Sequence, residues 1–116
     1  MIKCIRIDVV NEVIHEVEIN DNIQDIYKQL DCDLFEVVRL DNTNDLYVDE
    51  EGLLKVNDNT KFFQIDGYPQ PLVGNGLIMG HKSNGDTIST TLDIQDIKEK
   101  VKFLTLNDVR YKEYYQ

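Results

Sequence analysis

Two runs of alternating apolar and polar residues open the chain. Ile5, Ile7 and Val9 share one phase of the first run, and residues 13–19 repeat the alternation after a polar break at Asn11-Glu12. A period of two places apolar side chains on one face of a strand. A short polar break between two such runs is typical of a tight turn. The pattern therefore predicts an N-terminal β-hairpin.

Two other segments have the spacing of a helix instead. Residues 20–22, all Asn or Asp, can cap a helix, and apolar residues then recur at three- and four-residue intervals as far as Leu30. This predicts a short helix over 23–30. A second, longer helix is predicted over 93–104, where lysines come late and the apolar stripe is formed by Ile94, Ile97, Val101 and Leu104.

The middle of the chain is rich in strand and turn signals. Residues 34–40 are largely apolar on both faces, which predicts a central strand. A strand over 46–48 and a partner strand over 53–56 are expected to flank the acidic turn that ends at Gly52. Residues 57–65 are ambiguous, and Asn59 could cap one or two helical turns there.

A further strand is predicted at 77–81. The Asn84-Gly85 turn should fold residues 87–90 back onto it. Together these elements predict an α+β fold with a mostly antiparallel sheet. Residues 1–104 would form one domain, and residues 105–116 a tyrosine-rich tail that packs on it or binds a partner.

Charge limits the kinds of partner. The 116 residues include 22 acidic and 12 basic ones, for a formal net charge of -10. Direct binding to nucleic acid or to an anionic membrane requires Lys and Arg to meet phosphates, so both are disfavoured. The acidic excess favours basic partners, including proteins whose basic groove holds nucleic acid.

Carboxylates at two acidic turns are the candidate partner-binding residues. A rigid carboxylate array can copy the phosphate spacing of a duplex, provided that the side chains cluster on one face. The alternative is an acidic surface that serves solubility. The acidic candidates are Asp41, Asp45, Asp49, Glu50, Glu51 and Asp58. Aromatic anchors for the same interface are expected at Tyr111, Tyr114 and Tyr115.

A glycine-rich re-entry at Val73-Gly74-Asn75-Gly76 suggests a second kind of site. With nearby aromatic residues it could form a small-molecule pocket, whose candidate residues are Phe62, Phe63, Tyr68, Gly74 and Asn75. The alternative is tight backbone turning before a strand. The stretch lacks the GxGxxG spacing of a dinucleotide loop.

Catalytic and metal motifs are missing from the sequence. It contains no nucleophile elbow, Walker loop, HExxH or paired CxxC. The histidines His15 and His81 would need Cys4, Cys32 or carboxylates to converge with them to hold zinc. We therefore expect no enzyme activity, no metal and no cofactor. Without a leader or a long apolar run, we also expect a cytoplasmic protein with no membrane partner.

Residues 34–80 resemble a known family of unknown function from bacteriophages, plasmids and integrated elements. The shared pattern reads E-V-V-x-L, D-E-x-G and V-G-N-x(4)-G. Here it is carried by residues 36–40, by Asp49-Glu50-Glu51-Gly52, and by the stretch from Val73 to Gly80. The family also has an N-x-x-A-T segment, which Asn59 would begin here, and Phe62 and Phe63 depart from it because small residues are usual in that segment. The resemblance implies a mobile-element accessory protein in a bacterial cell, and no catalytic residue carries over.

Charge, size and resemblance together lead to a functional expectation. The chain would bind and inhibit a host nucleic-acid-handling defence enzyme, as anti-CRISPR or anti-restriction proteins do, through an acidic surface that mimics nucleic acid. The alternatives are a protein that binds or sequesters a small, nucleotide-type molecule, and a phage regulatory module without inhibitory activity. An exposed strand edge or the tyrosine tail could also support a homodimer.

Overall fold

A computed structural model describes residues 1–111, with side chains as far as residue 109. It contains three helices, a single 3-10 turn at Gly52–Lys55, and nine strands within those residues. The helices are α1 (Ile23–Leu30), α2 (Ile94–Lys100) and α3 (Leu106–Tyr111). The strands are β1 (Ile2–Asp8), β2 (Val13–Ile19), β3 (Phe35–Arg39), β4 (Asn44–Asp49), β5 (Lys61–Ile65), β6 (Leu72–Val73), β7 (Gly76–His81), β8 (Thr87–Ile88) and β9 (Val101–Thr105).

Two antiparallel sheets form the fold. The larger sheet has the order β2-β1-β7-β4-β3, and β8 pairs with the end of β7. The smaller sheet has the order β6-β5-β9. The architecture is therefore α+β with mostly antiparallel pairing, as the sequence pattern predicts. The predicted N-terminal hairpin is confirmed by the β1–β2 register, which runs from Ile2 opposite Ile19 to Asp8 opposite Val13.

The main core lies between the two sheets. Ile5, Ile7 and Ile78 point from the larger sheet toward Phe63 and Ile65 of the smaller one, and all five are at most 2% exposed. Burial on this scale is the dominant favourable contribution to folding. The side chain of Ile97 joins this core from α2.

The opposite face of the larger sheet is only partly covered. Helix α1 packs Ile26 and Leu30 against Cys4, Leu77 and Met79. The helix begins at Ile23 because Asn22 caps it: the Asn22 side chain accepts a hydrogen bond from the Asp25 backbone N–H at 2.8 Å. The predicted helix over 23–30 is thus confirmed. At the start of β3, Phe35 contacts Tyr27 of this helix, whereas Val37 and Arg39 further along the strand are exposed.

The prediction of a central strand over 34–40 is wrong. Strand β3 pairs with β4 on one side and forms an edge of the sheet. Val37 is 50% exposed, because the face that carries it is the one that α1 leaves open. The apolar composition of this segment had suggested burial on both faces. Val38 and Leu40 pack against the main core and Phe35 against the cluster under α1, but Leu34 and Val37 are about half exposed.

The partner strand predicted over 53–56 does not form, because the 3-10 turn at Gly52–Lys55 occupies most of that segment. Strand β4 already has β3 and β7 as neighbours, so no edge remains there for a returning strand to join. Residues 57–65, which fitted a helical turn, instead contain strand β5 at Lys61–Ile65. The strand predicted at 77–81 and its return through the Asn84-Gly85 turn are both confirmed.

The helix predicted over 93–104 ends early. Helix α2 stops at Lys100, and Val101–Thr105 forms β9, which pairs antiparallel with β5. Val101 and Leu104 fit helical spacing. As a strand, however, residues 101–105 provide the backbone hydrogen bonds for the edge of β5 that does not face β6. The last helix, α3, then packs Val109 against Phe62 and Leu104.

Candidate functional site

The structure separates the six acidic candidates into different environments. Asp41 is exposed but accepts hydrogen bonds from the backbones of Thr43 and Asn44, both at 2.8 Å. Those bonds, chiefly the one from Thr43, lower the pKa of Asp41. Asp45 is only 8% exposed and lies on the open face of the larger sheet. Both residues are at the start of β4, whereas Asp49 is at its far end, roughly 13 Å away at 3.3 Å per residue.

Asp49, Glu50 and Glu51 belong to a larger acidic group at the edge of the sheet. The backbone N–H of Glu50 donates to the Leu34 carbonyl at 3.0 Å, which brings the turn after β4 beside the loop after α1. We call this group the acidic corner and define it as Asp31, Asp33, Glu36, Asp49, Glu50 and Glu51. Asp58 is exposed but belongs to the separate turn before β5.

Two members of the acidic corner, Asp33 and Asp49, lie close enough to Cys32 to act on its thiol. Burial is the main cause that raises the pKa of the Cys32 thiol, and the charges of Asp49 and Asp33 raise it further. Lys55 lies beside the acidic corner, and its Nζ atom forms a salt bridge with Asp49 Oδ2 at 2.8 Å. The salt bridge neutralises one of the six carboxylates, so the acidic corner keeps a marked negative charge.

Exposed apolar side chains surround the acidic corner. Leu34 is 46% exposed, Leu53 57% and Leu54 83%. Leu53 shares a small cleft of about 80 Å³ with Glu36 and Glu50. Apolar residues rimmed by charge are typical of a surface that another protein covers.

The predicted aromatic anchors fall at the end of the described chain. Tyr111 is the last residue of α3, and its side chain is outside the described part of the structure. Tyr114 and Tyr115 lie outside the described residues altogether. Their role in binding stays a prediction.

The five residues proposed for a small-molecule pocket do not meet around one opening. Phe62 and Phe63 are both fully buried and point to opposite faces of β5, one toward α3 and the other toward the main core. The Asn75 side chain accepts a hydrogen bond from the Val9 backbone at 3.0 Å, which joins two segments of the fold. Gly74 has a φ of 81°, the turning role that was the alternative interpretation. Tyr68 lines the small cleft beside Leu53.

A different polar group lies on the open face of the larger sheet. The His81 imidazole is bonded through Nδ1 to Asp45 Oδ2 at 2.7 Å. Tyr47 follows two residues after Asp45 on the same face, and its phenol hydrogen-bonds the Thr87 side chain. Burial is the main cause that raises the pKa of Tyr47, and the Asp45 charge adds to it. Arg39 is directly opposite Asp45 in the β3–β4 register.

Sequence reasoning missed part of both groups. Asp31, Asp33 and Glu36 were visible as acidic residues, but nothing local shows that the loop after α1 meets the end of β4. From the sequence, His81 was considered as a possible zinc ligand. The signal that could have found it is the alternation around Leu46, which turns Asp45 and Tyr47 to the same face.

Among residues 1–111, no group of three or more His, Cys, Asp or Glu side chains is arranged to hold a metal ion. No helix in that part of the chain is long and apolar enough to cross a membrane.

Comparison with known proteins places the chain in a family. Residues 2–102 match the family described as "Domain of unknown function (DUF3846)". Since this match covers most of the sequence, the chain belongs to that family. An uncharacterized protein named y4iR from Sinorhizobium fredii is 30% identical over 81 residues, which are 70% of this chain and 49% of that protein. The chain thus spans about half the length of this curated relative. No solved structure matches it.

Proposed function

We propose that this protein is an accessory protein of phages or other mobile elements that acts by binding another protein. Its target is a host defence enzyme that handles nucleic acid, of the CRISPR or restriction type. The acidic corner occupies the basic groove in which that enzyme holds DNA or RNA, and so blocks the groove. The family resemblance supports the biological context, and the surface supports the mechanism.

The observation that carries the proposal is the clustering of carboxylates at one edge. An evenly scattered acidic surface would keep the protein dispersed in solution but would offer no concentrated charge to a groove. Here the loop after α1, the start of β3 and the turn after β4 converge, as the Glu50–Leu34 hydrogen bond shows. Arg and Lys side chains of a groove that binds phosphates match such a group.

The exposed leucines indicate how such a complex would gain stability beyond charge. Leu53 and Leu54 follow the acidic turn directly and are more than half exposed. Apolar contacts near the centre of an interface commonly carry most of its binding energy, whereas charges at the rim mainly speed association. Two components are therefore expected in binding, one sensitive to salt and one not.

Binding to purified defence nucleases tests the proposal. A panel of Cas nucleases and restriction endonucleases is titrated with the wild-type chain and with a corner variant, Asp33→Asn/Glu36→Gln/Glu50→Gln. For a true target, the variant should bind about tenfold more weakly or worse at low salt. The difference should shrink as salt is added, because exposed charges are screened.

A matched control variant, Glu18→Gln/Asp66→Asn/Glu99→Gln, removes the same amount of charge from exposed sites elsewhere. It should bind as the wild type does. Equal weakening by both variants would show that only total charge matters, and the acidic corner would lose its assigned role. Failure of the chain to bind any enzyme of the panel would contradict the proposed class of target.

A further inference from the structure

The open face of the larger sheet carries a cleft of about 300 Å³ that is distinct from the acidic corner. Strands β3, β4 and β7 form its floor, and the hairpin between β7 and β8 forms one wall. On the other side, the tilted rings of Phe35 and Tyr47, 5.3 Å apart between centroids, lie between the cleft and α1, whose Tyr27 ring is 5.2 Å from that of Phe35. Its volume is at the lower end of the range for small-molecule sites.

Three ionisable side chains cross the floor in a row. Arg39 on β3 is opposite Asp45 on β4, and Asp45 bonds His81 on β7. Directly opposed residues have their Cβ atoms about 5 Å apart. All three line the cleft.

The Asp45 carboxylate organises the imidazole. Because the Asp45 carboxylate accepts from Nδ1, the His81 ring holds a hydrogen on Nδ1 and leaves Nε2 as the nitrogen that can bond a ligand. Within residues 1–111, Nε2 has no hydrogen-bond partner. A buried carboxylate that orients an imidazole in this way is a common feature of binding and reaction sites.

Arg39 is the one Lys or Arg among the described residues that line the cleft. The protein has nearly twice as many acidic as basic residues, yet the exposed Arg39 guanidinium forms no ion pair with the described residues. Asp45, the nearest candidate by register, is bonded to His81 instead. The guanidinium and Nε2 are therefore both available to a molecule in the cleft.

From these groups we infer that the cleft binds a phosphate group, either free or on a small metabolite. The Arg39 fork suits a tetrahedral oxyanion. One phosphate oxygen can share a hydrogen with His81 Nε2 while the other oxygens accept from the Arg39 guanidinium. A phosphate group has three acceptor oxygens and a carboxylate two, so phosphate can bridge the two side chains better and we expect the cleft to prefer it.

Tyr47 and Val37 extend the cleft beside this anion position. Tyr47 keeps its hydroxyl hydrogen at neutral pH, and Val37 offers exposed apolar surface. A phosphate carried by a flat organic group, such as a nucleoside monophosphate, would gain contact with both. Free phosphate would use only Arg39 and His81.

Imidazole NMR tests this inference with an internal control. The chain has two histidines, and His15 lies on β2 near the Arg6 guanidinium, outside the cleft. The uniformly ¹⁵N-labelled protein is titrated with inorganic phosphate, with AMP and with acetate at constant ionic strength and pH. The His81 ring signals should shift and saturate with phosphate or AMP while those of His15 stay still.

The three ligands separate the possible sources of the phosphate group. Saturation at lower concentrations of AMP than of phosphate identifies a phosphorylated metabolite as the occupant, and equal affinity identifies free phosphate. Acetate should bind at least tenfold more weakly than either. Equal effects of acetate and phosphate would overturn the assignment of the site to phosphate.

Two variants complete the test. Arg39→Gln should weaken phosphate or AMP binding about tenfold or more, and it changes an exposed side chain that is not needed for folding. Lys61→Gln, which removes one exposed cation from β5, should leave binding unchanged. Parallel, unsaturable shifts of His15 and His81, or normal binding by Arg39→Gln, would contradict the inference.

Discussion

Asn44 holds two distant parts of the chain together, and its replacement gives the sharpest stability prediction. Its side chain is fully buried at the start of β4. The Oδ1 atom accepts from the Thr90 hydroxyl at 2.6 Å and from the Thr91 backbone at 3.1 Å. The Nδ2 atom donates to Asp41 and, at 2.9 Å, to Thr91 Oγ1. One amide therefore joins the β3–β4 turn to the segment before α2.

The magnitude follows from the number of lost bonds. Asn44→Ala removes hydrogen bonds to four partner residues, Asp41, Thr43, Thr90 and Thr91, each worth about 1 kcal/mol net, and leaves the buried Thr90 hydroxyl without this acceptor. We expect the free energy of unfolding to fall by about 3 to 4 kcal/mol. For a chain of this length, the melting temperature should then fall by roughly 12 to 16 °C.

Urea unfolding followed by far-UV circular dichroism measures this loss. The matched control is Asn42→Ala in the same turn, since Asn42 is exposed and should change stability by about 0.5 kcal/mol or less. A loss below about 1 kcal/mol for Asn44→Ala would refute the reasoning, because the network would then contribute no more than an ordinary surface contact.

Three further predictions concern acid, thiols and capping. The pKa of the Asp41 carboxyl is lowered in the folded protein, so its ionised form stabilises the fold at pH values above its ordinary pKa of 3.8, and this stability is lost as the pH falls through the lowered pKa. The urea midpoint should therefore fall less steeply between pH 5 and pH 2 for Asp41→Asn than for the wild type. Burial raises the pKa of Cys4 to about 12, so a thiol reagent at pH 8 should label Cys32 in the folded protein and Cys4 only after unfolding. The Cys32→Ser variant keeps only the Cys4 thiol, so its rapid labelling in the folded state would contradict this prediction. Asn22→Ala should cost about 1 kcal/mol through loss of the α1 cap, whereas the exposed Asn59→Ala, outside any helix, should cost less; equal losses would argue against the cap.

The elements that could be predicted from the sequence are those specified by neighbouring residues. The β1–β2 hairpin, α1 and the turn at Asn84-Gly85 each depend on local periodicity, a cap or a turn residue. The positions of strands β3 and β9 in their sheets could not be predicted from such local signals. Their positions depend on which ladder edges other strands already occupy, and that information is distributed across the chain.

The same distinction applies to the candidate sites. The negative charge and the acidic turn at Asp49 were evident in the sequence, but Asp33 joins that turn only through the pairing of β3 with β4. The contact between Asp45 and His81 spans 36 residues and depends on the pairing of β4 with β7. Alternation can show which face a strand residue occupies, but it cannot show which strand lies next to it.

The central claim is that the acidic corner occupies a groove that otherwise holds nucleic acid. Competition on one purified target tests it most directly: a defence nuclease bound to a labelled DNA or RNA duplex is titrated with this protein, and fluorescence anisotropy follows the duplex. The account predicts full displacement, with an apparent Kd that rises in proportion to duplex concentration and a weaker effect from the corner variant. A stable ternary complex, in which the duplex stays bound at saturating protein, would contradict it.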